Sequence, residues 1–225
     1  MTEESEVIQT LRQQMKIRAN LYWWFANLLG GELTVEQLSE LSSEYGQNVL
    51  ATLAEQPCLA PHVQRLRDAL TLLNSFPYPE LELASDYADL FLADVRVGAP
   101  PYASLYYGEV SMLYQAPHQM MLELLQQHGL ASEQFEQPAD HLAIELDLMG
   151  NLALKAANTP ALFEACVDQQ GVLGEQLRWW VQAWCDACQR FEGNDFYPAL
   201  SQLLVDFLNF ESQWLGDVVD ALRPR

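Results

Sequence analysis

The chain has 225 residues, 50% of them hydrophobic, enough to bury the core of one domain or of two small ones. Its 31 acidic residues against 11 basic ones give a formal charge of −20, which repels phosphate backbones, argues against nucleic acid as a partner and favours a basic one. No apolar run approaches the roughly 20 residues that a bilayer span needs, and the acidic, polar start Met1 to Glu6 is unlike a secretory signal, so the expected location is the cytoplasm.

Apolar residues at 8, 11, 15, 22, 25 and 29 recur at helical spacing and predict a first helix from Val7 to Leu29, ended by Gly30 and Gly31. Thr34, followed by Glu36 and Gln37, predicts a capped short helix, and another is expected from Tyr45 to Ala54. Pro61 opens a segment with Val63, Leu66, Leu70 and Leu73 on one face. Helical spacing resumes from Glu80 to Ala93, and Gly98, Pro100 and Pro101 then forbid its continuation. Ala116 to His128 predicts a helix ended by Gly129. The polar stretch 130–137 is the candidate hinge between an N-terminal half, 1–129, and a C-terminal half, 138–225.

Pro138 is expected to start a long helix to Ala157, followed by helices from Ala161 to Gln170, Val172 to Phe191 and Phe196 to Ala221. No stretch alternates with period two, so the fold expected is all-α, a helical bundle of about ten helices.

Glu136, Asp140, His141 and Glu145 form the densest polar group. On a helix starting at Pro138, His141 and Glu145 share a face and Asp140 lies in the first turn, where the helix dipole favours an anion. Three readings stay open: a carboxylate and histidine metal site lacking its further ligands, an acid/base pair lacking a nucleophile, or a helix capped by Asp140 while His141 bonds to a neighbouring helix. Peptide binding is a fourth. Cys185 and Cys188 form a CxxC placed mid-helix, without the preceding strand that a redox pair needs or the second pair that a zinc site needs. The turn Pro100 to Tyr106 carries Tyr102 and Tyr106 between Asp86, Asp89, Asp94 and Glu109. Rings beside carboxylates suit a ligand that is both apolar and arginine-bearing.

Three blocks together carry a resemblance: ASDYADLFL (Ala84 to Leu92) with PPYASLY (Pro100 to Tyr106), EQPADHLAIEL (Glu136 to Leu146) and FYPALSQLL (Phe196 to Leu204). In these blocks the chain resembles the TorD/DmsD/NarJ family of molybdoenzyme maturation chaperones, with wording nearest to TorD. The resemblance implies a non-enzymatic chaperone. Its partners would be an apo molybdoreductase, of the trimethylamine N-oxide reductase type, and that client's twin-arginine signal peptide. It also implies that Tyr87, Leu90, Phe91, Pro100, Pro101, Tyr102, Ser104, Tyr106, Glu136, Asp140, His141 and Glu145 serve client binding. Tyr102 and Tyr106 stand where some relatives carry tryptophan. No resident cofactor is implied; contact with a guanine nucleotide or with molybdenum cofactor has no residues assigned to it. Some members exchange halves between subunits, and a homodimer of that kind would hinge at 130–137. The alternatives are a helical adaptor for the mature client only, or a metal-binding helical protein.

Overall fold

A computed structural model of the chain describes residues 3–130 and 137–223. In chain order its helices are α1 (Glu3–Leu29), α2 (Val35–Ser42), α3 (Glu44–Ala54), α4 (Ala60–Leu73) and α5 (Pro79–Phe91), then a 3-10 turn (Ala103–Tyr106). There follow α6 (Ala116–Gln127), α7 (Leu142–Asn158), α8 (Leu162–Val172), α9 (Arg178–Cys188) and α10 (Phe196–Leu222). The fold is all-α, with no strand among the described residues.

The helix boundaries follow from local chemistry. The Thr34 hydroxyl accepts from the Gln37 N–H while the Gln37 side chain accepts from the Thr34 N–H, a reciprocal capping box. Pro61, Pro79 and Pro117 sit in first turns, where a missing N–H costs nothing. The structure corrects two expectations. Between α8 and α9 the backbone widens into a π-helical turn, Leu173–Leu177, so the sequence from Leu162 to Cys188 contains no interruption at Gly171. And α7 starts at Leu142, not Pro138: His141 is its N-cap, its N–H donating to the Pro138 carbonyl across the preceding turn.

The chain divides into two compact units built from interleaved stretches. The first comprises Met1–Gly30, Tyr114–Trp179 and Glu211–Arg225. Its most extensive helix pairing is α1 against α7. Glycine permits that approach: a Cβ on Gly150 would lie 2.5 Å from the Trp23 indole nitrogen, and one on Gly30 would lie 3.4 Å from the Ala143 Cβ. The Trp23 side chain bonds to Asp147, whose carboxyl is nonetheless pushed up because burial outweighs that bond and the one from Asn151.

The same unit buries an ion pair. The Arg18 Nε donates to both Glu211 carboxylate oxygens at 2.9 and 2.7 Å. Around it lie the Gln169 amide, the Met15 sulfur and the Trp214 ring, whose centroid is 4.2 Å from the guanidinium carbon. Burial pulls the Arg18 guanidinium down, and the charge and hydrogen bonds of Glu211 more than reverse it.

The second unit comprises Gly31–Leu113 and Trp180–Phe210. Its core is aromatic. Phe91 stacks on Trp184 at 6.1 Å and meets Tyr197 edge-on at 5.0 Å, and Tyr87 meets Phe91 at 5.1 Å. Each such pair contributes about 0.5–1.5 kcal/mol beyond its buried area.

Candidate functional site

Within the second unit the structure gathers two of the predicted groups. Tyr87, Leu90 and Phe91 face inward from α5, all nearly fully buried. The turn after it is fastened to the end of that helix. The Ala99 N–H donates to the Leu90 carbonyl at 2.6 Å, and the Trp184 indole N–H donates to the Ala99 carbonyl at 3.0 Å. Gly98 is required for the approach, because a Cβ there would lie 2.6 Å from the Leu90 carbonyl oxygen. Pro100 and Pro101 are buried behind this contact. The Tyr106 ring stacks on Trp180 at 5.5 Å while its hydroxyl donates to the Pro100 carbonyl at 3.3 Å. Ser104 is buried, and Tyr102 keeps partial exposure. Among the flanking carboxylates, Asp94 is already engaged with Arg96 at 2.8 Å.

The first unit holds the other group, at the start of α7. The His141 Nδ1 accepts from the Ala143 N–H at 3.1 Å, so this nitrogen carries no proton. Burial holds the His141 imidazole down at about 4, and the ring is neutral at physiological pH. This corrects the expectation that Asp140 caps the helix. Asp140 lies one residue before the cap, fully buried, with its Oδ1 3.7 Å from the His118 Nδ1. That His118 nitrogen accepts from the Ala139 N–H at 3.0 Å, so the contact with Asp140 is not an ion pair through it. Glu145 is also buried, one turn into α7. Glu136 lies outside the described residues. The turn Pro100 to Tyr106 and the α7 start thus fall in different units. Most of these side chains are enclosed, and they set the shape and charge beneath a surface more than they form it.

The CxxC is inert in this setting. Cys185 and Cys188 are buried in α9, and burial pushes both thiols up, the reverse of what a reactive thiolate needs. Among the described residues no three His, Cys, Asp or Glu side chains come close enough together to hold a metal ion. Sequence reasoning missed Arg18, Glu211 and Tyr197, which are buried polar groups inside apolar stripes; an arginine between Met15 and Tyr22 is the one local sign of the first pair.

Residues 54–186 match the family model described as nitrate reductase delta subunit. The chain is 46% identical over 207 residues to the Chaperone protein TorD of Ferrimonas balearica, covering 90% of this chain and 93% of that protein. It is 37% identical to the Chaperone protein TorD of Vibrio parahaemolyticus, covering 88% of this chain and 94% of that protein. The chain belongs to the TorD/DmsD/NarJ family. Against the TorD of Photobacterium profundum the identity is 36%, again over 88% of this chain and 94% of that protein. The matched region contains the α5 helix, the turn after it and the α7 start, so the family resemblance and the buried frame coincide on the same residues. No helix among the described residues is long and apolar enough to cross a membrane.

Proposed function

We propose that this TorD-family protein is a cytoplasmic chaperone, not an enzyme, that binds the apo form of a molybdoreductase of the trimethylamine N-oxide reductase type. It also binds the client's twin-arginine signal peptide, and it assists molybdenum cofactor insertion before export. The observation that carries this reading is the match to chaperones named TorD across nearly their whole length. The charge of −20 supports it, since a basic signal peptide is drawn to such a surface at long range. The predicted site residues from Tyr87 to Tyr106, in the second unit, and from Glu136 to Glu145 are each proposed to serve client binding. The buried rings would shape an apolar surface for the signal's hydrophobic stretch, and the carboxylates would bias it toward arginine.

The test is calorimetric titration of the full chain with a synthetic twin-arginine signal peptide and with a control in which both arginines are glutamine. Saturable binding is expected, weakened about tenfold or more by the control, because one charge-assisted hydrogen bond contributes about 1.5–3 kcal/mol. Absence of binding to either peptide would sink the signal-peptide half of the reading and leave recognition of the apo-reductase itself. Exchange of the halves 1–129 and 138–225 between two copies is part of the proposal. The α1–α7 pairing joins the two halves and could re-form between copies.

A further inference from the structure

The inward face of α5 is taken up by the core, through Leu83, Tyr87, Leu90 and Phe91. Its outward face is also apolar. Leu81 is 63% exposed and the C-cap Leu92 65%, and between them on the same side lie Ser85, exposed, and Ala88, half-buried. At roughly 100° per residue these four side chains fall within an arc of about 60°, opposite Leu83 and Leu90, and run about 16 Å along the axis. The N-cap Tyr78, 64% exposed, adjoins the first turn. Single exposed leucines are ordinary, whereas apolar and small side chains aligned along one exposed side of a helix mark a surface that a partner covers.

One flank of this stripe is acidic. Glu82, Asp86 and Asp89 recur at intervals of four and three residues and form a row about 100° round the helix from the leucines. The Asp86 Oδ2 accepts from the Asn194 backbone N–H at 3.2 Å, and a Cβ on Gly193 would lie 2.5 Å from the Asp86 Oδ1, so the row borders that stretch of backbone. Burial pushes the Asp86 carboxyl up, and the charges of Glu82 and Asp89 add to this despite the Asn194 bond. The row therefore repels itself. The ion pairs of the second unit are made elsewhere, by His62 with Asp206, Arg65 with Asp195 and Arg96 with Asp94. From Asp68 to Val95 the sequence has no lysine, arginine or histidine.

We propose that the outward face of α5 is a docking surface for an amphipathic helical segment of a partner protein, with leucine-like side chains in one row and arginine or lysine in the row beside it. Charge complementarity selects this occupant. A second copy of the chain offers the face no cation, and each copy brings a formal charge of −20. Anionic lipid and nucleic acid are repelled for the same reason. The helical form follows from the register: stripe and row both repeat at three and four residues, so a segment that matches both over about 16 Å repeats likewise. That the segment belongs to the molybdoreductase client rests on the function proposed above; the face itself does not.

The experiment uses the full chain and two probes, each followed by fluorescence anisotropy. The first is a labelled model helix with a leucine row and an arginine row, its control carrying glutamine for every arginine; it tests the face alone. The second is the twin-arginine signal peptide; it tests the proposed function. Wild-type protein saturates with the arginine helix and binds the glutamine control about tenfold more weakly. Two paired variants, Leu81→Ser with Leu92→Ser and Glu82→Gln with Asp89→Asn, each weaken the arginine helix about tenfold. Their melting temperatures stay near that of wild type, because all four side chains are exposed. Val167→Ser with Glu164→Gln changes the same chemistry on the exposed side of α8 and leaves the affinity unchanged. No saturation by the arginine helix, unchanged affinity in both α5 variants, or an equal loss in the α8 variant overturns the docking face; the last would show only a general attraction to an acidic chain. Saturation by the arginine helix, weakened by the α5 variants, without binding of the signal peptide keeps the face and overturns the signal-peptide half of the function. Signal-peptide binding that both α5 variants leave unchanged keeps that function and removes the signal peptide as the occupant of this face.

Discussion

Each unit contains an arginine gripped by a carboxylate, and the two grips are alike in geometry. In the first unit the Arg18 Nε lies 2.9 and 2.7 Å from the Glu211 oxygens; in the second, Arg65 donates to the Asp195 oxygens at 2.9 and 2.6 Å. They differ in surroundings. The Arg18 and Glu211 side chains are 6% and 1% exposed, those of Arg65 and Asp195 37% and 45%. Distance therefore does not measure what such a pair contributes; the medium does. In a dry setting each ion depends on the other because neither can return to water, while at the surface water and salt replace the partner at little cost. The comparison also separates the units by what they do with charge. The first encloses a pair, Arg18 and Glu211, whose members neutralise each other, and in the second no basic side chain among the described residues pairs with the half-buried Asp86.

The sharpest way to break the comparison is to remove one partner of the buried pair. Glu211→Ala leaves the Arg18 guanidinium enclosed beside Met15 and Trp214 with no anion, and should cost about 3–5 kcal/mol of stability, read from urea denaturation. The double replacement Arg18→Met with Glu211→Leu should recover most of that loss, since it removes both charges and keeps apolar volume. A loss below about 1 kcal/mol in Glu211→Ala would mean that water reaches the pair, and the contrast with Arg65 would vanish.

The second prediction concerns the start of α7. The folded His141 is held at about 4, below its ordinary 6.5, because its charged form would be buried. Above pH 6.5 the ring is neutral in both states. Between 6.5 and about 4 the unfolded chain takes up a proton that the folded chain refuses. Stability therefore falls as the pH falls through this window, by at most about 3 kcal/mol. Asp86 and Asp147, raised by burial, act with the opposite sign at acid pH, so a difference measurement is needed. His141→Asn keeps an N-cap acceptor for the Ala143 N–H and removes the titration. The stability difference between wild type and His141→Asn should narrow steadily from pH 7 to pH 4; a constant difference would show that the imidazole is not buried neutral.

Much of the fold was legible because helices announce themselves locally. The apolar stripe of α1, the Thr34 capping box and the prolines opening α4 and α5 lie within a few residues of what they determine. The α7 start was misplaced by the same local logic. Pro138 and Asp140 are residue types that open helices, yet a tight turn closes first and hands the capping role to His141. What could not be read was the pairing of distant groups. Arg18 and Glu211 are 193 positions apart, and Asp86 meets Asn194 across 108. No spacing rule joins them; only the fold does. The interleaving of the two units is hidden for the same reason, since composition does not change where the chain passes from one to the other.

The smallest effect is expected at the exposed pair, and it is the control that gives the largest its meaning. Arg65→Gln removes the fork on Asp195 while keeping a polar stem that can still approach Gln189, the other group Arg65 touches. Asp195 is nearly half exposed and rehydrates, so the loss should be about 0.5 kcal/mol in low salt and should shrink further at 1 M salt, where charges are screened within about 3 Å. The Glu211→Ala loss, by contrast, should persist in high salt, because ions do not enter the space between α1 and α10 in the first unit. Denaturation of both variants at two ionic strengths is therefore one measurement with two arms. If Arg65→Gln proves as costly and as salt-insensitive as Glu211→Ala, then the geometry of the fork decides its strength, and burial does not distinguish the units.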